Sequence, residues 1–339
     1  MSATFSEFLW TQLVPLPSVK SFARPLTGRT VLLTGGNVGL GLEAAKHLAA
    51  LGPARLIITS RSSARGADAL VQISAAGKGK VGKVECWEVN LAVFDSVKAL
   101  VDRFAKQGGG KLDLLVLNAG VAGGVWNETP EGWEEMLQVN HLSTALLAIR
   151  FLPFLLAADA QPPTPRVVIV SSGVHHWVPD MPEVEAPSML RKLNDKEYCE
   201  KEGKVRFRYP VTKLLNVLFT IALSSRLPST TSLSINTVNP GFCHSQLARN
   251  ARSWRFWLQK QLLARSTEAG SRTLVHAAVG RDIDGKSGLY VEHCRVGEPS
   301  EWVRSERGKE VGAKLWTDTI EELTLVDPEV PRIVKQYLA

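Results

Sequence analysis

The chain has 339 residues, of which 45% are hydrophobic and 22% are charged, and its formal net charge is +7. These values are typical of a globular protein, and the spread of lysine and arginine along the chain does not indicate a nucleic-acid partner. No run of about 18 consecutive apolar residues predicts a membrane span, and the spacing of the four cysteines predicts neither a disulfide scaffold nor a metal site. We therefore expect a soluble, cytoplasmic protein without a metal.

The amino-terminal segment, residues 1–26, is predicted to be an extension of the core. Its apolar residues recur near helical spacing from Phe5 onward, but Glu7, Gln12 and two prolines interrupt them. Neither the basic region nor the unbroken apolar run of a secretory signal is present. We expect a helix packed on the side of the domain, with a shallow membrane or partner contact as the alternative.

Short apolar runs alternate with helical patterns from residue 29 to about residue 240. The predicted strands, in chain order, are 30–33, 56–59, 84–89, 112–117, 167–170 and 234–238. Strands that alternate with helices predict a parallel sheet covered by helices on both faces. The fold class is therefore α/β, a doubly wound sheet of the Rossmann type, in a single domain with extensions at both ends.

Other parts of the chain are predicted to surround this domain. The core spans residues 27–295, with an insertion at 174–206, and the tail at 296–339 is expected to pack on it. Residues 310–323 predict an amphipathic helix, which the prolines that follow should interrupt.

A glycine-rich turn follows the first predicted strand and precedes a helix. The turn comprises Thr34, Gly35, Gly36, Asn37, Val38, Gly39, Leu40 and Gly41. Glycine lacks a Cβ atom, so the backbone can approach a phosphate closely, and the helix start offers unpaired N–H groups to an anion. The turn therefore predicts a dinucleotide site, with a tight turn that binds nothing as the alternative.

Two arginines follow the second predicted strand, twenty residues beyond the last glycine of the turn. At this point an acidic residue would bind the ribose of NAD, but the chain has Ser60 and Arg61, with Arg65 four residues later. A guanidinium group binds phosphate through forked donors, so the arginines favour the 2′-phosphate of NADP(H). Solvated surface arginines are the alternative.

Tyr209 and Lys213 lie four residues apart, about one helical turn, in the sequence Tyr-Pro-Val-Thr-Lys. A tyrosine hydroxyl can give a proton to a carbonyl that accepts a hydride, but its ordinary pKa is about 10. A nearby ammonium should lower that pKa, which predicts that Lys213 activates Tyr209. Because Pro210 disfavours helical torsions in the residue before it, we expect Tyr209 to be the helix cap.

Polar residues at the ends of the other predicted elements complete the candidate catalytic group. Ser172 could hydrogen-bond a substrate oxygen, and since alternate residues of a strand face opposite sides, only one of Ser171 and Ser172 should enter the site. Asn140 lies in an apolar helical pattern, where a buried amide needs partners. Its role is either a water-mediated proton relay to Lys213 or a bend in the helix.

These motifs together resemble the short-chain dehydrogenase/reductase superfamily, and within it the branch of retinol dehydrogenases and WW-domain oxidoreductases, which includes many fungal members. The pieces that carry the resemblance occur in order, at 34–41, 118–120, 140, 172, 209–213 and 239–241. The resemblance implies Tyr209 as the catalytic acid and base, Lys213 on the nicotinamide ribose, Ser172 on the carbonyl and Asn140 in a proton relay.

The resemblance also implies further contacts with the cofactor. These come from Asn90, Leu91, Asn118, Ala119, Gly120, Pro240, Gly241, Phe242 and Ser245. Two positions depart from the usual family pattern. Asn90 replaces an aspartate near the adenine, and Ser245 replaces a threonine but keeps the hydroxyl.

The segment 242–265 combines aromatic residues with arginines and a lysine. It could be a lid over an apolar substrate, an amphipathic contact with a membrane, or ordinary packing. We expect an NADP-dependent oxidoreductase acting on a hydrophobic alcohol or carbonyl compound, in specialised terpenoid or polyketide metabolism. A non-catalytic NADPH sensor or scaffold is the alternative, and the sequence does not decide the oligomeric state.

Overall fold

Eight strands form one sheet in the computed structural model, which describes residues 11–12, 14–158, 162–244 and 263–338. The strand order is β3-β2-β1-β4-β5-β6-β7-β8, and every pairing is parallel except that of β7 with β8. The strands are β1 Thr30–Leu33, β2 Arg55–Ser60, β3 Lys83–Glu88, β4 Leu114–Leu117, β5 Arg166–Val170, β6 Ser234–Asn239, β7 Tyr290–Glu292 and β8 Arg295–Gly297. The predicted doubly wound parallel sheet is confirmed.

Helices cover both faces of the sheet. They are α1 Val19–Phe22, α2 Gly39–Ala50, α3 Ser63–Gly77, α4 Phe94–Gln107, α5 Glu135–Leu156, α6 Met189–Leu193, α7 Lys196–Lys201, α8 Arg208–Ser224, α9 Thr267–Val279, α10 Glu301–Arg304, α11 Glu306–Val326 and α12 Glu329–Tyr337. One-turn 3₁₀ helices at Gly173–Trp177, Pro182–Glu185 and Lys204–Phe207 lie within or beside the predicted insertion.

The sheet separates two hydrophobic clusters. Leu32 of β1 faces the cluster formed with α4, α5 and α8, whereas its neighbours Val31 and Leu33 face the one formed with α2 and α9. All residues of β4, β5 and β6 are buried. Helices on both faces remove these strands from water, which is why β4 and most of β5 appear in the sequence as continuous apolar runs. The polar residues of β6 are buried as well.

Helix α5 lies in the centre of this core. By length and hydropathy it could cross a membrane, but 78% of its most apolar 18-residue stretch is buried inside the protein. Its apolar character is therefore explained by packing against the sheet and its neighbouring helices. One π-helical turn, Gln138–Leu142, interrupts its regular hydrogen bonding.

The carboxy-terminal tail packs on the two helices that carry the candidate catalytic residues. Helix α11 lies against α8, and α12 lies against α5. The amphipathic helix predicted at 310–323 lies within α11, which ends before Asp327, and the chain turns there before α12 begins. Asp327 fixes this corner because its carboxylate oxygen lies 2.5 Å from Nη1 of Arg150 on α5.

Candidate active site

The glycine turn between β1 and α2 has a backbone that only small residues permit. Gly35 and Gly39 adopt φ angles of +67° and +58°, in the region that favours glycine. A Cβ atom on Gly41 would lie 2.2 Å from the Gly35 carbonyl oxygen. The turn therefore brings backbone N–H groups to a surface without side chains in the way, which suits a pyrophosphate. Val38, predicted in the same group, is exposed at the start of α2.

Asn118, just beyond β4, holds this turn in place. Its side-chain amide donates hydrogen bonds to the carbonyl oxygens of Thr34, at 3.0 Å, and Gly35, at 3.2 Å. The Thr34 hydroxyl accepts the backbone N–H groups of Asn118 and Ala119 at 3.0 and 3.1 Å. The residues predicted in the turn and those predicted after β4 therefore form one hydrogen-bonded unit.

The two predicted arginines lie at the carboxyl end of β2 and at the start of α3. Arg61 and Arg65 are both exposed, and neither has an ion-pair partner among the described residues. Ser60 differs from them, because it is buried and its hydroxyl donates to the carbonyl of Ser62 at 3.0 Å. The arginines are thus available to an anion, whereas the Ser60 hydroxyl stabilises the turn between β2 and α3.

Asn90 and Leu91 follow β3 and differ in exposure. The Asn90 side chain is exposed, and its oxygen accepts the backbone N–H of Ala92 at 3.1 Å. Leu91 is buried, and its carbonyl accepts the Ser143 hydroxyl of α5 at 2.6 Å. These bonds order the loop after β3 and tie it to α5.

Tyr209 lies inside the first turn of α8. The helix begins at Arg208, so the expectation that Tyr209 is the cap was wrong by two positions, because Phe207 is the cap. Pro210 is tolerated there because the first N–H groups of a helix have no intrahelical partner. The buried guanidinium of Arg208 also fixes the start, 3.3 Å from the Glu134 carboxylate at the beginning of α5.

The environment of Tyr209 raises the pKa of its phenol. Burial is the largest cause, and a hydrogen bond with the Ser172 side chain opposes it. We expected Lys213 to lower this pKa, but its ammonium nitrogen is 5.5 Å from the centre of the Tyr209 ring and has another partner. The phenol is therefore held in its protonated form.

The partner of Lys213 is the end of a strand. Its ammonium donates to the carbonyl oxygen of Val170, the last residue of β5, at 2.9 Å. Burial lowers the pKa of Lys213 to about 8. An ammonium group has three N–H donors, and the bond to Val170 uses one of them.

Asn140 occupies the π-helical turn of α5. Its side chain pairs with the backbone of Val121, accepting its N–H at 2.8 Å and donating to its carbonyl at 2.9 Å, and it also donates to Thr212 at 3.1 Å. A Cβ atom on Gly120 would lie 3.0 Å from the Asn140 oxygen and 3.7 Å from the Lys213 nitrogen. Gly120 thus lets Asn140 and Lys213 approach the same point.

Ser171 and Ser172 face opposite sides at the end of β5. Ser171 is buried and donates its hydroxyl to the backbone carbonyl of Lys213 at 2.7 Å. Ser172 lies on the side of Tyr209 and caps the turn that follows, because its hydroxyl accepts the N–H of Val174 at 3.4 Å. The structure therefore brings Ser172, Tyr209 and Lys213 together at the carboxyl edge of the sheet.

Comparisons with known proteins agree with this arrangement. The sequence model of the family described as short chain dehydrogenase matches residues 29–178. The short chain dehydrogenase/reductase dmxR8 of Cryptosporiopsis sp. (strain 8999) is 37% identical over 95% of this chain and 98% of its own length. The chain belongs to the short-chain dehydrogenase/reductase family. It is thus an oxidoreductase by family.

Further relatives of this dehydrogenase include another fungal protein and a bacterial structure. The short-chain dehydrogenase/reductase ffsI of Aspergillus flavipes is 34% identical over 98% of this chain and 96% of its own length. A crystal structure of an uncharacterized protein from Mycobacterium paratuberculosis is 26% identical, with a TM-score of 0.66, and covers 91% of this chain and 98% of that one. The superfamily inferred from the motifs is confirmed.

The segment after β6 begins at the same edge of the sheet as Ser172, because β6 runs parallel to β5. Asn239 accepts the N–H of Gly241 at 3.0 Å, Gly241 has a φ angle of +81°, and Pro240 is buried. Phe242 is half-buried, and its carbonyl accepts the Arg265 N–H at 2.9 Å. Ser245 and most of the predicted lid lie outside the described residues.

Sequence reasoning missed several residues that organise the site. Thr59 accepts the N–H of Gly35, Thr212 links Asn140 to the Tyr209 carbonyl, and Val121 holds the Asn140 amide. Thr212 is in the Tyr-Pro-Val-Thr-Lys motif and could have been found from its position beside Lys213. The others contribute through tertiary contacts, for which no local pattern exists.

Proposed function

We propose that this dehydrogenase uses NADP(H) to interconvert a hydrophobic alcohol and its ketone or aldehyde. The observation that carries the proposal is the meeting of the Ser172 and Tyr209 side chains beside the buried Lys213. Gly120, which lies next to Lys213, comes two residues after Asn118, whose side chain holds the glycine turn in place. The group that could move a proton is therefore adjacent to the group that could hold a dinucleotide.

The residues of the chain fit NADP(H) at both ends of the cofactor. The glycine turn suits the pyrophosphate, and the exposed Arg61 and Arg65 suit the 2′-phosphate. Lys213 would hold the nicotinamide ribose. When bound, the reduced cofactor supplies the hydride that adds to the carbonyl carbon.

The side chains complete the reduction by handling the oxygen of the substrate. The protonated phenol of Tyr209 gives its proton to that oxygen, so that one hydride and one proton convert a carbonyl into an alcohol. The Ser172 hydroxyl donates a hydrogen bond to the same oxygen and stabilises the charge that develops there.

Exposed apolar side chains support a hydrophobic substrate. Trp177 is 67% exposed and ends the turn after Ser172, Phe207 is 55% exposed two residues before Tyr209, and Val125 is 65% exposed in the loop after Gly120. Large apolar side chains exposed to water on segments around a cleft indicate a surface that binds apolar ligands.

A turnover test decides between an enzyme and a sensor. Purified protein with NADPH is assayed against a panel of apolar ketones and aldehydes, together with the variants Tyr209→Phe and Tyr337→Phe. A positioned acid contributes about 10²- to 10⁴-fold, so Tyr209→Phe should lose at least about 100-fold in kcat while its affinity for NADPH stays unchanged. Tyr337→Phe, which removes a hydroxyl from α12, should match the wild type.

Two results would contradict the proposal. Equal turnover by Tyr209→Phe and the wild type would remove Tyr209 as the acid. Tight NADPH binding by a wild-type protein that reduces no member of the panel would favour the sensor.

A further inference from the structure

His175 is a buried imidazole that the proposed mechanism leaves without a role. It lies three residues after Ser172 in the one-turn helix Gly173–Trp177 and is fully buried. Its Nδ1 atom is 2.9 Å from the carbonyl oxygen of Ser172. Its Nε2 atom is 3.1 Å from the backbone nitrogen of Ser300, at the start of α10 in the carboxy-terminal tail.

These two partners determine where the ring carries its proton. The backbone N–H of Ser300 can only donate, so Nε2 must be the acceptor. Nδ1 of the neutral ring then carries the proton and donates it to the Ser172 carbonyl. Both ring nitrogens are satisfied in this one tautomer, and a doubly protonated ring would place two donors opposite each other at Ser300.

The ring remains neutral in its surroundings. Burial and the neighbouring His176 lower the pKa of His175 to about 3. The rings of His176 and Tyr290 lie 4.1 and 5.1 Å away, centre to centre. The bridge from Ser172 to Ser300 therefore persists throughout the neutral range of pH.

The bridge acts on the part of the chain that sets the direction of the Ser172 side chain. The Ser172 carbonyl accepts a second hydrogen bond, from the backbone N–H of His175 at 3.2 Å. On the other side of the turn, Gly173 packs closely against the end of β6. An added Cβ atom on Gly173 would lie only 3.1 Å from the Asn239 amide. Ser172 is thus held between the sheet and a ring that is anchored in the tail.

We infer that His175 is a positioning residue, which ties Ser172 to the carboxy-terminal tail through Ser300 and so keeps the Ser172 hydroxyl directed at Tyr209. The inference rests on the proposed function of Ser172. It gives the tail, whose helices cover α5 and α8, a direct connection to the site of proton transfer. A loss of the donor to Ser172 should therefore lower kcat more than it changes cofactor binding.

Three substitutions of His175 separate its two hydrogen bonds. The amide nitrogen of His175→Asn can occupy the place of Nδ1 and donate to Ser172, whereas the amide of His175→Gln reaches only towards the place of Nε2, and His175→Ala loses both. A misplacement of about 1 Å can cost about 100-fold in rate. We expect His175→Ala and His175→Gln, which lose the donor to Ser172, to lose about 100-fold in kcat. His175→Asn keeps that donor and loses only the bond to Ser300, so it should lose about 10-fold. All three should bind NADPH with affinity within about threefold of the wild type.

Two substitutions of Ser300 test the bridge from the side of the tail. Ser300→Pro removes the N–H that Nε2 accepts, and the φ angle of −52° at this position is close to that of proline. Ser300→Ala keeps that N–H and loses only the cap to the N–H of Val303. We expect a loss of about 10-fold or more in kcat for Ser300→Pro relative to Ser300→Ala. His176→Ala, which deletes the exposed neighbouring imidazole, is the matched control and should keep the wild-type kcat.

A spectroscopic measurement tests the bridge without turnover. Imidazole ¹⁵N shifts of the wild-type protein, assigned by comparison with His175→Asn, should show a neutral ring protonated at Nδ1 from pH 8 to pH 5. A ring protonated at Nε2, or one that titrates near pH 6.5, would overturn the inference. So would a wild-type kcat in His175→Ala, or an equal loss in His175→Asn and His175→Ala, which would indicate packing alone. A wild-type protein that reduces no carbonyl refutes the proposed function instead, and the tautomer still decides whether the bridge exists.

Discussion

A methyl group added at Gly41 tests whether the glycine turn holds the cofactor. In Gly41→Ala the new carbon would lie 2.2 Å from the Gly35 oxygen, 2.6 Å from the Asn118 amide nitrogen and 3.0 Å from the Gly35 carbonyl carbon. The first distance is about 1 Å shorter than ordinary contact, and backbone atoms cannot rotate away. The turn must therefore move outward or α2 must shift.

The size of the effect follows from the cost of overpacking. Added carbons in a filled site cost about 1–3 kcal/mol, and about 1.4 kcal/mol corresponds to a factor of ten in affinity. Relief of the clash moves Gly35, which is part of the surface offered to the pyrophosphate. We expect the dissociation constant of NADPH to rise about 10- to 100-fold in Gly41→Ala.

Fluorescence titration with NADPH and thermal unfolding measure this effect together. Gly124→Ala is the matched control, because a Cβ atom there meets nothing within 4 Å and its φ angle is not left-handed. It should bind NADPH as the wild type does. If folded Gly41→Ala also bound NADPH with wild-type affinity, the turn would not be the cofactor cradle.

Two further predictions concern cofactor choice and acid stability. Arg61→Ser should raise KM for NADPH about 10-fold or more and leave KM for NADH unchanged. The exposed control Arg295→Ser should change neither constant. Equal effects of Arg61→Ser on both cofactors would refute the 2′-phosphate contact. Burial lowers the pKa of His141 from 6.5 to about 4, so the unfolded chain binds a proton that the folded chain does not in that range. His141 should therefore contribute about 2 kcal/mol to the loss of stability between pH 7 and pH 5 in urea unfolding, in addition to the contribution of other buried histidines such as His175. His141→Gln should reduce the total loss by about that amount; an unchanged slope would contradict the assignment.

The sequence was most informative where a structural element depends on residues that are close together in the chain. The strand predicted at 30–33 is β1 with the same bounds, because a buried parallel strand is a short apolar run that ends in a turn. Strand β4 begins at Leu114, two residues later than predicted. The carboxylate of Asp113, just before it, accepts the backbone N–H of Thr30 and the guanidinium of Arg29, which the local pattern does not reveal.

The short strands β7 and β8 at one end of the sheet could not be found in this way. Each has three residues, and the turn between them places His293 and Cys294 at φ angles of +51° and +56°. Histidine adopts such angles more often than most residues, but cysteine does not, and the pair does not mark a hairpin turn as Asn-Gly does. The hairpin depends on pairing with β6, which is not visible in the local sequence.

In the candidate site too, contacts between residues close in the chain could be predicted and contacts between distant residues could not. Tyr209 and Lys213 could be paired from sequence because one helical turn separates them. The partners of Asn140 lie 19 and 72 residues away, and the His175 ring is bonded to a residue 125 positions later. The direction of the Tyr209 pKa was also missed, because it depends on burial by the whole fold and not on the neighbouring lysine alone.

Transfer of deuterium from the cofactor to the product tests the central claim most directly. The wild-type protein is incubated with NADPH deuterated at the transferable C4 position and an apolar ketone, and the alcohol is analysed by mass spectrometry. We predict one deuterium on the carbinol carbon for each NADP formed, and a rate at least about 100-fold lower in Tyr209→Phe. Alcohol without deuterium, or the same rate in Tyr209→Phe, would contradict the account.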